Sequence, residues 1–369
     1  MKIKLGRIYG IQIDIHYTWL IVFFLFTWSL ASGYFPQVIP GWSGIGYWAA
    51  GAISTLLLFG GVLIHELSHS IVAQKKGTEV KSITLFIFGG VAQVTDEPRE
   101  ANSELLIALA GPIASLVLAA FFFLLAYLSP EKISSAIFSY LFWINLVLAL
   151  FNLIPAFPLD GGRILRALLW KWKRDYRSAT RISATTGVVF AYILIFLGFF
   201  SLLEGNLVSG LWWIIMGWFL QNSAESSYQQ LVIKQALSGL TVRSIMETEI
   251  KSVPPNITLE ELAREHFLGF QQTAFFVSWG EEIMGIVTIS DLKKIPREQW
   301  HQETVRQIMT PISQLETISP NENAYDALLK MTSRNVGRLP VMEEGKLIGI
   351  ITRQGLLEAL RIRSELIGI

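Results

Sequence analysis

Hydrophobic and polar positions divide the chain into long uncharged runs separated by short charged segments. Asp, Glu, Lys and Arg are absent from residues 15–65, 105–130, 133–159, 182–203 and 205–224. A helix needs roughly 20 apolar residues to cross a hydrocarbon core of about 30 Å, and every run reaches that length. The first run is long enough for two crossings around the Gly/Pro-rich turn FPQVIPGWSGIG (35–46). The pattern therefore predicts six transmembrane helices.

Composition supports a membrane protein. The chain is 52% hydrophobic and 16% charged, with a mean hydropathy of +0.46, which is too apolar for an ordinary soluble protein. Cysteine is absent, which excludes a disulfide framework, a thiol nucleophile and thiolate metal ligands. A net charge of +1 favours neither an acidic nor a basic partner, and we expect no direct binding of nucleic acid.

Basic residues concentrate in alternate loops, and these loops lie on the same side of the predicted spans. They precede span one and follow spans two and four: Lys2, Lys4, Arg7, Lys75, Lys76, Lys81, Arg163, Arg166, Lys171, Lys173, Arg174, Arg177 and Arg181. The turns at 35–46 and 204–207 carry one charge between them. Because Lys and Arg are enriched in cytoplasmic loops, we expect a multi-pass protein of the cell (inner) membrane with both termini in the cytoplasm.

The motif HELSH (65–69) interrupts an apolar span with three ionisable groups. On a helix, His65 and His69 lie on one face, so that both imidazoles can reach one metal ion, with Glu66 beside them as a base. Ionisable groups inside a span indicate function by default, although histidines that only hydrogen-bond within a helix bundle are the alternative.

A catalytic zinc site needs three protein ligands and an open position for water. The best third candidate is Asp160 in FNLIPAFPLDGGR (151–163), at the cytoplasmic end of span four and at the depth of His69. Pro155 and Pro158 break the helix there, and freed backbone groups are tolerated at membrane depth only where protein or a water-filled cavity satisfies them. The alternative is that Asp-Gly-Gly only caps a helix end.

HELSH together with NLIPAFPLDGG resembles the site-2 protease family of intramembrane zinc metalloproteases. The resemblance implies one zinc ion per chain, held by His65, His69 and Asp160. It implies that Glu66 activates the water and that Asn152 positions or polarises the scissile carbonyl. The substrate would be a transmembrane segment of another protein in the lipid bilayer.

Two shorter stretches extend this resemblance over most of residues 1–225. Apolar and polar residues alternate in RIYGIQIDIHYTW (7–19), as in a short strand that runs into span one. LFIFGGVAQV (85–94) resembles the family's hairpin, which dips towards the site. An extended substrate could add to the edge of that hairpin. The predicted fold is a polytopic α-helical membrane protein with short β-hairpin elements near the site.

The C-terminal part is more highly charged and contains an internal repeat. TVRSIM (241–246) recurs as TVRQIM (304–309), and GIVTISDL (285–292) recurs as GIITRQGL (349–356). Short apolar strands alternate with helical stretches in each copy, which resembles a tandem pair of cystathionine-beta-synthase (CBS) modules with an α+β fold. The predicted domains are a transmembrane metalloprotease domain (1–225), a linker (226–240) and CBS modules at 241–300 and 301–369.

In that family an Asp three residues after a strand-terminal Thr holds the ribose of an adenosine nucleotide. Thr288 and Asp291 match this pattern, whereas the second copy has Thr352 but Gly355. The resemblance therefore implies at most one nucleotide site. The alternative is a structural module that forms a homodimer.

Two other function classes compete with a protease. A transporter would be expected to carry polar residues in several spans, often in an internal repeat, whereas polarity here concentrates at one depth. A scaffold with a relic site is disfavoured because Glu66 is present. We predict an intramembrane zinc endopeptidase that acts in regulated intramembrane proteolysis and is modulated by a nucleotide at the CBS pair.

Overall fold

The computed structural model describes residues 2–87, 89–94, 98, 100–270, 272–280 and 282–367. The chain forms two compact units, 1–229 and 230–369.

Most helices of the first unit follow the uncharged runs. They are α1 (Thr18–Ser29), continued by a π-helical stretch (Leu30–Tyr34) and α2 (Phe35–Val38), then α3 (Gly44–Lys75), α4 (Ala101–Leu128), α5 (Lys132–Asn152), α6 (Asp160–Lys173), α7 (Tyr176–Leu203) and α8 (Leu207–Leu237). Within the described residues, five helical stretches are long and apolar enough to cross a membrane: Thr18–Val38, α3, α4, α5 and α7. The predicted sixth span lies on α8, which is not among them, so the count of six stays a prediction.

The fourth predicted span ends earlier than its uncharged run. Helix α5 stops at Asn152, because Pro155 and Pro158 cannot donate a backbone hydrogen bond and clash with the preceding turn. Asp160 is the first residue of α6 and does not cap the end of α5. A Cβ on Gly161 would lie 2.5 Å from the carbonyl carbon of Ile154, so the start of α6 packs directly on the turn before it.

A four-stranded sheet lies beside these helices. Its strands are β1 (Lys2–Ile8), β2 (Ile11–His16), β3 (Val80–Phe86) and β4 (Gly89–Val94), in the order β1-β2-β3-β4. The β2–β3 pair is parallel and the other two pairs are antiparallel. Ile11, Ile13 and Ile83 bury one face of the sheet against Leu67 of α3. This packing fixes the sheet beside the half of α3 that carries HELSH.

The sheet is larger than the sequence predicted. The stretch 7–19, predicted as one strand running into span one, contains the end of β1, a turn, β2 and the start of α1. The hairpin predicted at 85–94 begins at Val80, with residue 88 outside the described residues. Strand β4 forms one edge, and a Cβ on Gly90 would lie 2.5 Å from Cγ of Glu66. The backbone of β4 therefore covers the side chain of Glu66.

The second unit contains both copies of the repeat. Its strands are β5 (Ser252–Val253), β6 (Ala274–Trp279), β7 (Glu282–Thr288), β8 (Thr310–Pro311), β9 (Arg338–Glu343) and β10 (Lys346–Thr352). Its α-helices are α9 (Val242–Ile245), α10 (Leu259–Glu261) with a π-helical continuation (Leu262–Leu268), α11 (Ile289–Leu292), α12 (Val305–Ile308), α13 (Ala324–Ser333) and α14 (Arg353–Ile367). Short 3-10 turns occupy Arg297–Gln299 and Ile312–Gln314. Strands β5 to β8 form one sheet, and β9 pairs with β10.

The opening segment of each repeat pairs with the other repeat. The backbone N–H of Val242 donates to the carbonyl of Glu322 (2.9 Å), and that of Val305 donates to the carbonyl of Ile257 (3.1 Å). Val242 is buried in the core of the second repeat and Val305 in that of the first. The two copies therefore exchange their first helical turns.

Candidate metal centre

Helices α3 and α6 bring three potential metal ligands together. Nε2 of His65 lies 3.2 Å from Nε2 of His69, and Oδ2 of Asp160 lies 3.2 Å and 3.1 Å from these two nitrogens. All three residues are buried, and their ligand atoms lie within 4.8 Å of one another. Ligands at about 2.0 to 2.1 Å from a tetrahedral zinc ion lie about 3.3 Å apart, which agrees with this arrangement.

The hydrogen bonds of the histidines leave lone pairs facing the centre. Nδ1 of His69 lies 2.6 Å from the carbonyl oxygen of Ile107, which can only accept, so this nitrogen carries the proton and donates. The Nε2 atom of neutral His69 is then an acceptor that faces another acceptor, the carboxylate of Asp160. Such a set is stabilised by a cation at its centre, and the donor types are those that zinc takes.

Helix α4 supplies the support behind both imidazoles. Oγ of Ser115 lies 2.9 Å from Nδ1 of His65, and Ile107, two turns earlier, accepts from His69. Gly111 lies between them, and a Cβ there would lie 2.6 Å from Nε2 of His65. Partners of this kind fix the tautomer and orientation of metal-binding histidines. The roles of Ile107, Gly111 and Ser115 were not predicted from the sequence, although their spacing of four residues is present in IALAGPIAS (107–115).

The two predicted catalytic groups occupy different surroundings. Glu66 is half-buried beneath Gly90 of β4. Asn152 is the last residue of α5, and its Nδ2 donates to the carbonyl of Leu148 (3.0 Å) on its own helix. This bond uses one of the two N–H donors of the amide, so the other N–H can donate to a substrate.

The second oxygen of Asp160 faces a cation. Nη1 of Arg163 lies 4.0 Å from Oδ1 of Asp160, while Oδ2 faces the histidines. The carboxylate is thereby oriented by one positive charge on its outer side.

The predicted nucleotide residues form a helix cap in the second unit. Thr288 Oγ1 donates to Oδ2 of Asp291 (2.7 Å), and Lys294 Nζ donates to Oδ1 (2.8 Å). Burial alone would raise the pKa of Asp291, but the hydrogen bonds from Lys294 and Thr288 outweigh it and hold the pKa below its usual value. In the second copy, Oγ1 of Thr352 accepts from the N–H of Gly355 (3.0 Å) and lies 3.3 Å from a carboxylate oxygen of Glu247.

Comparison with known proteins identifies both parts of the chain. The model of peptidase family M50 matches residues 53–136 and 129–197, and the CBS domain model matches residues 242–298 and 305–362. A Mycobacterium tuberculosis protein named zinc metalloprotease Rip3 is 33% identical over 356 residues, which cover 95% of this chain and 90% of that protein. A Synechocystis protein named zinc metalloprotease sll0528 is 31% identical over 366 residues, which cover 98% of this chain and 96% of that protein.

A solved structure is also similar to part of the chain. The site-2 protease from Methanocaldococcus jannaschii is 33% identical, with a TM-score of 0.43, and the match covers 62% of this chain and 95% of that one. The family matches and the two relatives confirm both resemblances based on the motifs. The chain belongs to peptidase family M50, the site-2 protease family of zinc metalloproteases, and carries two CBS domains.

Proposed function

We propose that this protein is an intramembrane zinc endopeptidase that hydrolyses peptide bonds within or near transmembrane segments of membrane proteins. The observation that carries the proposal is the convergence of Nε2 of His65, Nε2 of His69 and Oδ2 of Asp160, buried among helices long enough to span a bilayer. Three protein ligands leave one position of a tetrahedral ion open, as hydrolysis requires. One zinc ion per chain is expected.

The side chains take the following roles in this proposal. Zinc, when bound, activates water as a nucleophile at neutral pH and polarises the scissile carbonyl. A carboxylate oxygen of Glu66 accepts the proton of the attacking water and passes it to the nitrogen of the leaving amine. The amide of Asn152 keeps one N–H on the carbonyl of Leu148 and donates the other to the carbonyl oxygen of the substrate as negative charge develops there.

The substrate must be locally extended before it can react, because a helix shields its own peptide bonds. Strand β4 is an edge of the sheet and passes over Glu66. Addition of the substrate as a further strand on β4 would hold an extended segment beside the base. Gly90 is suited to this place, since a larger residue would press on Glu66.

We also propose that the membrane unit crosses the cell membrane six times, with α8 supplying the sixth span and both termini in the cytoplasm. The uncharged run 205–224 and the distribution of Lys and Arg support this topology. The substrate would then be cut near the cytoplasmic face, where α6 begins.

The CBS pair is proposed to bind an adenosine nucleotide at Thr288 and Asp291 and to modulate proteolysis. A ribose diol would replace Lys294 as the partner of the Asp291 carboxylate. Binding of AMP or ATP to the full-length protein, measured by calorimetry, should be lost in Asp291→Asn. No heat from either nucleotide with the wild type would leave homodimer formation as the role of the modules.

The central proposal is tested by metal content and cleavage together. Detergent-purified wild type and Glu66→Gln should each contain about one zinc per chain, and Asp160→Ala should contain much less. Cleavage of a reporter with a helix-destabilised transmembrane segment should fall by about 10²- to 10⁴-fold in Glu66→Gln. Folded wild type without zinc, or cleavage by Glu66→Gln at the wild-type rate, would refute the assignment.

A further inference from the structure

A buried ion pair joins α4 to α6 and takes no part in the proposed hydrolysis. Glu104 is completely buried and Arg166 is nearly so. Nε of Arg166 donates to Oε1 of Glu104 at 2.6 Å, and Nη2 contacts the same oxygen. Charges are rarely buried unless they are paired, because the loss of hydration is costly. A specific reason is therefore needed for this pair.

The guanidinium of Arg166 also lies between two aromatic rings. Its Cζ is 4.9 Å from the ring centre of Phe157 and 4.9 Å from that of Tyr176. Phe157 belongs to the turn that leads into Asp160, and Tyr176 is the first residue of α7. A planar guanidinium can stack on rings and bind a carboxylate at once, which an ammonium cannot do. One side chain thus joins α4, α6, α7 and the turn before α6.

The two helices joined by this pair both contact the metal centre, whose histidines belong to α3. Helix α4 holds both histidines through Ile107 and Ser115, and Ile107 lies less than one turn from Glu104. Helix α6 begins with Asp160, fewer than two turns from Arg166. A shift of α6 along α4 would therefore move the carboxylate of Asp160 relative to both imidazoles.

We propose that Glu104 and Arg166 form a positioning pair, which holds α6 against α4 so that Asp160 meets His65 and His69 at the metal. This inference rests on the proposed role of Asp160 as a zinc ligand. General stabilisation is a poor explanation for the pair, since apolar replacements of buried ion pairs are often neutral or stabilising. Removing one partner alone, by contrast, leaves an uncompensated charge.

The double variant separates positioning from stability. Glu104→Gln and Arg166→Met each leave one charge unpaired, so both should lower the thermal unfolding midpoint of the zinc-free protein. Both single variants should also release zinc to a chelator about 10- to 100-fold faster than wild type. Metal affinity falls by a similar factor when groups that hydrogen-bond to metal ligands are replaced. In Glu104→Gln/Arg166→Met no charge is unpaired and only a neutral buried amide lacks a partner, so the unfolding midpoint should recover in part while zinc release stays fast. Arg166→Lys keeps the charge without the fork and should release zinc at an intermediate rate.

Zinc release by the double variant at the wild-type rate would overturn the inference. So would release rates that follow the unfolding midpoint through all variants, because the pair would then act on stability alone. If a single variant does not fold, the double variant and Arg166→Lys decide the question. Glu343→Gln, which breaks the exposed pair with Arg243 in the second unit, is the matched control and should leave zinc release unchanged.

The outcome also distinguishes this inference from the proposed function. Folded wild type without zinc would remove the proposed function itself. Wild type that binds zinc and loses it in Asp160→Ala, with the pair variants unchanged, would overturn positioning alone.

Discussion

Replacing Gly111 by alanine should weaken metal binding with little change in the stability of the metal-free protein. A Cβ at this position would lie 2.6 Å from Nε2 of His65, about 0.8 Å inside the 3.4 Å at which ordinary contact begins, and it would lie closer still to Nε2 of His69. The added methyl group therefore enters the space where the two nitrogens converge, and at least one imidazole must turn away. The preference for alanine over glycine inside a helix, about 1 kcal/mol, is opposed at this position because a Cβ directly before Pro112 is crowded by the proline ring.

We expect Gly111→Ala to unfold at or near the wild-type temperature without zinc and to release zinc more than about 100-fold faster. The expected change is larger than the 10- to 100-fold loss of metal affinity that follows replacement of groups bonded to metal ligands, because here a ligand itself is displaced. The assay is zinc transfer from detergent-purified protein to a chromophoric chelator, beside thermal unfolding of the metal-free form. Gly60→Ala is the matched control, since a Cβ on that α3 glycine meets no protein atom within 4 Å. Wild-type zinc retention by Gly111→Ala would refute the geometry of the centre.

Three further measurements test other parts of the structure. Ser115→Ala removes the hydroxyl 2.9 Å from Nδ1 of His65 and should speed zinc release by about tenfold, whereas Ser32→Ala, whose hydroxyl bonds its own helix, should not. The lowered pKa of Asp291 implies stabilisation that is complete above its unfolded pKa of about 3.9 and is lost as pH falls through the lower folded value. Asp291→Asn should therefore reduce the fall in the unfolding free energy of the full-length protein on acidification, and an unchanged fall would contradict this. The chain has no cysteine, so single cysteines report the side of the membrane. Glu204→Cys, in an external turn, should react with an impermeant maleimide in intact cells, whereas Lys4→Cys, on the cytoplasmic side, should react only after permeabilisation. The reverse pattern would mean that the topology is inverted.

Much of the candidate site could be predicted because its signals are local. Two histidines four residues apart share a helix face wherever the helix lies, and the prolines before Asp160 end α5 by backbone chemistry alone. The structure brings these three side chains together from residues 65, 69 and 160.

The supporting groups could not be predicted in the same way. Ile107 acts through its carbonyl, which every residue possesses. Glu104 and Arg166 are 62 residues apart, and Arg166 was counted only among the basic residues that set orientation. Glu104 and Arg166 pair only because α4 packs against α6, and that packing is decided by contacts between residues far apart in the sequence.

The N-terminal hairpin was missed because of an unusual turn. Tyr9 and Gly10 both have positive φ (52° and 79°), as a tight two-residue hairpin turn requires. Asn-Gly or Asp-Gly is the usual sequence for such a turn, and tyrosine rarely adopts this conformation. Without that signal, residues 7–19 read as one strand.

The exchange of first turns between the two repeats has a consequence for folding. Neither copy holds its own complete set of core residues, because Val242 completes the second copy and Val305 the first. Val242 pairs with a residue 80 positions later and Val305 with one 48 positions earlier, so the pair should form in one cooperative step, and slowly for its size. The first copy thus depends on the opening segment of the second, whose Val305 completes its core, although the second copy has Gly355 where the first has Asp291.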